Sequence, residues 1–250
     1  MSSISGSLKG KIALVTGGSR GIGAGIVRRL ASDGVSVAFT YLSAEEKAYA
    51  LVAEVRADGG TALAIKADNA SESDIRNAVR EATETFGGLD IFVSNAGQLL
   101  IKELGQIQTD ELDRMLAVNV RAIVIGTQAA AAVMKSGGRI MTIGSVSGVR
   151  TGVGGGSVYS MTKAALGGFV RGAAIDLAPR AITVNNIQPG PTATDMNPAE
   201  GPHVDWLTKL IPLGRFGKDR EIASLIAYLA TEDAAFITGA SLTVDGGYTA

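Results

Sequence analysis

Lys11-Ile12-Ala13-Leu14-Val15-Thr16-Gly17-Gly18-Ser19-Arg20-Gly21-Ile22-Gly23 is the stretch that decides how this chain folds. A short apolar run feeds a cluster of glycines, and Ile26, Val27 and Leu30 then recur at helical spacing. The pattern reads as strand, tight turn, helix. Glycines at such a turn let the backbone approach a phosphate, and the helix N-terminus offers amide donors and a partial positive charge. The spacing is Gly17-x3-Gly21-x-Gly23, not the commoner Gly-x-Gly-x-x-Gly. Glycine loses the most backbone freedom on folding, so its concentration at one strand-to-helix junction points to a ligand. Gly17, Ser19, Arg20, Ile22 and Gly23 are therefore cofactor candidates.

The same alternation continues outward. Val35 to Thr40 reads as a second strand, and residues 44–57 as a helix with the stripe Ala48, Leu51, Val52 and Val55. Thr61 to Ala67 is a third strand, and Ser71-x-x-Asp74 opens a helix through Phe86. Leu89 to Val93 is a fourth strand. Thr109 can cap a long helix with Asp110 and Glu111 in its first turn and Leu112, Met115 and Leu116 facing inward. Arg139 to Gly144 is a fifth strand, followed by a Gly-rich loop (Gly148, Gly152, Gly154 to Gly156) and a helix to about Leu177. Ala181 to Ile187 and Ala240 to Val244 complete seven strands. Strand and helix alternate regularly through residue 190, which predicts an α/β fold with a doubly wound parallel sheet. Residues 10–250 read as one domain behind a loose Ser-rich N-terminal arm, residues 1–9. Residues 191–218 carry four prolines with Met196, Trp206, Leu207 and Leu210, and read as an apolar lid.

Composition narrows the function. Net charge is −1 with no run of either sign, so there is no footprint for nucleic acid or an anionic membrane. No apolar run approaches the length of about 18 residues expected of a span. Cysteine is absent, which removes disulfides and thiolate metal sites and is compatible with the cytoplasm. With one histidine, His203, no transition-metal site is expected, and His203 reads as a lid or surface residue.

Dinucleotide folds that take NAD place an acid after the second strand to hold the ribose 2′-hydroxyl. Here that position reads Phe39-Thr40-Tyr41-Leu42-Ser43, and the first acid is Glu45. Arg20 can reach the same spot, and a guanidinium pairs with a phosphate, so NADP(H) is the expected cofactor. Ser43 can touch the 2′-phosphate or cap the next helix through Ser43-x-x-Glu46. Asp68 and Asn69 end a strand at the ligand-binding edge, where Asp68 binds ligand or caps a turn. In Ser94-Asn95-Ala96-Gly97 the small residues let a flat ring lie near the backbone. Asn119 sits mid-helix among apolar residues, and bonds a neighbouring backbone or a water.

Tyr159 and Lys163 stand one helical turn apart on one face. A neighbouring cation favours phenolate, so the spacing predicts a lowered tyrosine pKa and a usable proton donor or acceptor. Ser145, fourteen residues upstream, could hold the group being protonated. That chemistry suits reducing a carbonyl or oxidising an alcohol. Small residues on the same helix (Ala164, Ala165, Gly167, Gly168) allow another helix, such as one from a second subunit, to approach.

Thr16-Gly-x3-Gly-Ile-Gly23, Asn95-Ala-Gly97, Asn119, Ser145, Tyr159-x3-Lys163 and Pro189-Gly190, in order and spacing over about residues 8–248, resemble the short-chain dehydrogenase/reductase family. The match is nearest its 3-oxoacyl-carrier-protein reductase-like branch. The resemblance implies a Rossmann-type seven-stranded parallel sheet with helices on both faces, NAD(P), and a homotetramer with 222 symmetry. It implies Tyr159 as acid/base, Lys163 lowering its pKa and holding the nicotinamide ribose, Ser145 orienting the substrate oxygen, and Asn119 holding a relay water. Asp68 and Asn69 fall beside the adenine and Thr194 near the carboxamide. Asn95, Ala96, Gly97, Pro189, Gly190 and Thr192 flank the cofactor, with Tyr41 and Ser43 at its ribose. Ser147, Met196 and Trp206 join Ser145 and Tyr159 on the substrate side. Three departures stand out. Ser94 replaces the usual Asn, and the Ser145-to-Tyr159 spacing is one longer than usual, which predicts a bulge at Gly154–Gly156. Of two basic carrier-docking positions, Arg180 matches one and Ser136 replaces the other. The expectation is an NADP(H)-dependent carbonyl reductase or alcohol dehydrogenase acting on a small ketone. A carrier-bound thioester reductase is the alternative, and a non-catalytic nucleotide-binding regulator the third.

Overall fold

The structure is a computed structural model and describes residues 8–250. Seven parallel strands form one sheet in the order β3-β2-β1-β4-β5-β6-β7. They are β1 (Ile12–Val15), β2 (Ser36–Tyr41), β3 (Thr61–Lys66), β4 (Ile91–Ser94), β5 (Arg139–Ile143), β6 (Thr183–Pro189) and β7 (Ser241–Val244). The helices are α1 (Gly21–Ser32), α2 (Glu45–Ala57), α3 (Glu72–Phe86), α4 (Thr109–Leu116), α5 (Ala122–Val133), α6 (Ser157–Leu177), α7 (His203–Lys209) and α8 (Asp219–Ala230). Ala13 of β1 pairs with Val37 on one side and Ile91 on the other. The chain steps outward from β1 to β3, then returns to β4 on the opposite flank. That reversal opens a crevice at the carboxyl ends of β1 and β4, where open α/β sheets bind ligands.

Side chains alternate across the sheet with the two-residue strand period. Ala13 and Val15 pack with Leu30 of α1, Leu51 of α2 and Ile226 of α8, whereas Leu14 packs with Val79 of α3, Ala130 of α5 and Val170 of α6. Because helices cover both faces, the strands read as continuous apolar runs rather than alternating ones. Leu8 is buried in the first of these layers, inside the stretch expected as a loose arm. Residues 1–7 of that arm lie outside the described residues, as does the side chain of His203.

The helix ends show which local signals carried. Ser71 caps α3 as its spacing predicts, accepting from the Asp74 N–H at 3.3 Å, and Gly87 ends the helix in the left-handed region at φ 85°. Ser43 does not cap α2, which starts at Glu45 behind Ala44 with no side-chain cap. Thr109 is likewise inside α4, and the flanking residue is Gln108, whose N–H is taken by the Glu111 carboxylate at 2.9 Å. One π turn, Ala117–Arg121, joins α4 to α5. The joined helix Thr109–Val133 is long and apolar enough to cross a membrane by composition, but it is a core helix, with Met115, Val118, Ile123 and Ala130 buried. Helix α8 lies in a stretch given no element from the sequence, although its stripe Ile222, Ala223, Ile226 and Leu229 is amphipathic. It packs so closely on α1 that a Cβ at Gly25 would come 2.8 Å from Asp219 Oδ2.

Candidate active site

The glycine turn leaves β1 and curls against the end of β4. Asn95 Nδ2 donates to the Thr16 and Gly17 carbonyl oxygens at 2.9 and 3.0 Å, and Thr16 Oγ1 accepts from the Asn95 and Ala96 N–H groups, both at 3.0 Å. The Gly17 N–H donates to Thr40 Oγ1 at 2.9 Å, which ties the turn to β2. A Cβ at Gly23 would stand 2.3 Å from the Gly17 oxygen and 2.6 Å from Asn95 Nδ2, so only glycine closes this junction. Arg20, before α1, has extended backbone at φ −156° and does not cap the helix, and the first turn of α1 carries no acid. The first N–H groups of α1 thus lack any side-chain cap at a positive helix end, which fits a phosphate.

A cavity of about 760 Å³ opens over these strand ends, within the usual range of about 300–1,000 Å³ for ligand sites. It brings together every site residue expected from the sequence except Asn119. One end is lined by the glycine turn, Tyr41, Ser43, Asp68 and Asn69, and the far end by Leu99, Ile101, Val153, Met196, Trp206 and Tyr248. Ser145, Tyr159 and Lys163 lie among the lining residues with Gly97, Pro189, Gly190, Thr192 and Thr194.

Asp68 takes its turn-capping reading at the edge of the cavity. It borders the cavity, its Oδ1 accepts from the Ala70 N–H at 2.8 Å, and its carboxylate takes a two-pronged ion pair from Arg114 at 2.9 and 3.0 Å. The Arg114 guanidinium holds the Asp68 carboxyl below the usual carboxylate range. Ser94 is buried in β4 and does not border the cavity, so its departure from the family pattern leaves the lining intact.

The tyrosine–lysine pair differs from its expectation. Burial pushes the Tyr159 phenol up, with hydrogen bonding from Ser145 partly offsetting it. Lys163 does not lower it, because its ammonium donates to the Ile143 carbonyl at 2.9 Å and lies 5.8 Å from the Tyr159 ring centroid. Burial pulls Lys163 itself down to about 8. Desolvation therefore sets the direction for both groups.

Asn119 lies behind the cavity in the π turn, a feature frequent at functional sites. It is buried, donates to the Gln98 carbonyl at 2.8 Å and Thr162 Oγ1 at 3.2 Å, and accepts from the Gln98 N–H at 2.8 Å. Its side chain thus takes the backbone-bonding reading. Gly97 sits between Asn119 and Lys163: a Cβ there would be 3.6 Å from Asn119 Oδ1 and 3.5 Å from Lys163 Nζ.

The Gly-rich loop before α6 is pinned rather than free. The Gly155 carbonyl accepts from the Lys102 N–H at 3.0 Å with Gly155 at φ 76°, and a Cβ at Gly152 would meet the Tyr248 hydroxyl at 2.0 Å. Arg150 lies 4.9 Å over the Tyr248 ring. Tyr248, Arg114, Thr16 and Thr40 escaped the sequence reading because their roles come from contacts across long sequence separations. Only Thr16 had a signal, its place before the glycine turn.

A parallel sheet with a glycine phosphate cradle at its switch point, opening onto Ser145, Tyr159 and Lys163, defines a dinucleotide-binding oxidoreductase. The chain belongs to the short-chain dehydrogenase/reductase family. The family model described as enoyl-(acyl carrier protein) reductase matches residues 17–249. The cyclic-di-GMP-binding biofilm dispersal mediator protein of Escherichia coli K12 is 43% identical over 243 residues, covering 97% of this chain and 99% of that protein. The 3-oxoacyl-[acyl-carrier-protein] reductase of Staphylococcus aureus is 38% identical over 240 residues, 95% of this chain and 97% of that protein. Among solved structures, a short-chain dehydrogenase/reductase of Serratia marcescens is 52% identical with a TM-score of 0.96, covering 98% of this chain and 100% of that one. A short-chain dehydrogenase of Burkholderia cenocepacia in complex with NADP is 48% identical, with the same TM-score of 0.96 over 98% of this chain and 100% of that one.

Proposed function

We propose that the protein is an NADP(H)-dependent carbonyl reductase that converts a small apolar ketone to an alcohol, reversibly. The observation that carries this is one cavity with a phosphate cradle at one end, an apolar wall at the other, and Tyr159, Ser145 and Lys163 among its lining. NADP(H) supplies the hydride. The NADP-bound relative supports that cofactor, as do Arg20 and the lack of an acid at the end of β2.

Tyr159 donates its proton to the carbonyl oxygen, and its raised pKa keeps that proton in place at neutral pH. Ser145 orients the same oxygen, so two hydroxyl donors stabilise the developing alkoxide. Lys163 supplies a buried cation beneath the site and holds the nicotinamide ribose. Asn119 acts as a positioning residue that fixes Gln98 and the end of the β4 loop. Ser147, Met196 and Trp206 shape the substrate end. The charged lining residues other than Lys163 are Arg20, Asp68, Arg114 and Asp195, the last directly before Met196 and paired with Lys47. Leu99, Ile101, Val153 and Trp206 favour a neutral substrate. The reading extends to a cytoplasmic homotetramer, supported by the absence of cysteine and by exposed Met161, Ala164, Ala165, Gly168 and Ile175 along α6.

The carrier-protein alternative is supported by the Staphylococcus relative. Against it, Arg180 is engaged by the carbonyl oxygens of Ala131 and Met134 at the end of α5, and its expected basic companion is Ser136. The regulator reading has the printed name of the Escherichia relative behind it, but a retired enzyme has no need of the retained Ser145, Tyr159 and Lys163. Mixing the protein with NADPH and a panel of neutral ketones, and following cofactor absorbance, tests the proposal. Turnover is expected, and unchanged turnover in Tyr159→Phe would sink the mechanism.

A further inference from the structure

Across the adenosine end of the cavity, the lid is fastened to the body by a charge pair. Lys47 Nζ of α2 stands 2.6 Å from Asp195 Oδ2, which follows Thr194 in the lid. Thr194 packs over the glycine turn: a Cβ at Gly21 would meet its Cβ and Cγ2 at 3.3 Å. The Arg20 charge acts on the Asp195 carboxylate through space, and both residues border the cavity with Ser43. The Arg20 guanidinium is exposed and makes no hydrogen bond or ion pair among the described residues. One carboxylate is therefore paired with Lys47 and lies within the field of a second, unpaired cation, Arg20, at the point where the chain after β2 lacks an acid.

We infer that Asp195 is an internal competitor for the 2′-phosphate of NADP(H), and that Lys47 is the second cation of the 2′-phosphate site beside Arg20. The inference rests on the NADP(H) reading above. With Asp195 ionised the cluster carries one net positive charge, from two cations and one carboxylate. A 2′-phosphate is a better partner for those cations than a single carboxylate, because it carries more charge and three acceptor oxygens. The Lys47–Asp195 pair is open to water, with side chains 59% and 47% exposed. Such a pair is held weakly and can be exchanged readily. Lys47 and, to a lesser degree, Arg20 hold the Asp195 carboxyl below its usual range, so the competitor stays charged at neutral pH. NADH lacks the 2′-phosphate, so its affinity is expected to be indifferent to both residues.

The test is direct binding, by titration calorimetry, of NADPH and NADH to the wild type, Lys47→Met, Asp195→Asn and the double variant. Glu46→Gln, another exposed acid nearby on α2, controls for the general field. Lys47→Met is expected to weaken NADPH about three- to tenfold and to leave NADH unchanged. Asp195→Asn is expected to tighten NADPH by more than Glu46→Gln does, with an effect that shrinks in the Lys47→Met background. Equal weakening of both cofactors in Lys47→Met would reduce the pair to a lid latch and overturn the inference. Weaker NADPH binding in Asp195→Asn, or no change in either variant, would also overturn it. A wild type without NADPH preference would instead defeat the NADP(H) reading, and the inference with it.

Discussion

In the proposed reaction Tyr159 and Lys163 set the chemistry, and their protonation goes against the simplest expectation from their spacing. A cation one turn away ought to lower the phenol pKa, yet burial raises it and pulls Lys163 to about 8. Tyr159→Phe is expected to cut ketone reduction by about 10²–10⁴, with NADPH affinity by titration unchanged. Lys163 also leaves a thermodynamic mark. Its folded pKa lies below the unfolded value, so the unfolded chain binds the extra proton between pH of about 8 and 10.5, and stability rises with pH across that window. Its contribution is present above the unfolded pKa and lost as pH falls through about 8. Denaturant unfolding of wild type and Lys163→Met should show their stability difference shifting in favour of the wild type by about 3 kcal/mol between those limits. A flat difference would mean that Lys163 titrates normally.

At the scale of elements, the functional geometry lies in junctions rather than in helices or strands. The turn after β1 is clamped by Thr16, Thr40 and Asn95 and admits no Cβ at Gly23. Gly23→Ala must push the Gly17 carbonyl or the Asn95 amide aside. A loss of about 1–3 kcal/mol in stability is expected, measured by chemical denaturation, together with weaker NADPH binding by titration. Stability and binding both at wild-type level would show that the junction has slack. The π turn around Asn119 likewise joins α4 to α5 while placing one amide against Gln98 and Thr162.

The whole molecule is a two-layered wrap of helices around one parallel sheet, and the proposed tetramer is tested on one face of it. Helix α6 is buried at Leu166, Val170 and Ala173 but leaves Ala165 and Gly168 exposed. On a monomer this row of small residues buries nothing, whereas a second copy could seat a helix on it. Ala165→Arg is expected to lower the mass seen by light scattering from a tetramer toward a smaller species. An unchanged mass would place the contact elsewhere.

Much of the fold was legible in the chain because local rules acted alone there. Apolar runs marked the strands, Ser71 marked the start of α3, and the glycine turn marked the ligand-binding edge. Local rules misled where two candidates competed, as when Ser43 and Thr109 gave way to Ala44 and Gln108 at helix starts. They were silent where a role comes from distant partners, as for Arg114 on Asp68 or Tyr248 against Gly152. The sequence by itself determined the doubly wound sheet and the positions of Ser145, Tyr159 and Lys163, because periodicity and spacing are properties of the string. Only the tertiary structure decided the direction of the Tyr159 pKa, the engagement of Asn119 and the pairing of Lys47 with Asp195. Burial and contacts between residues far apart in the chain set those, and both exist only once it is folded.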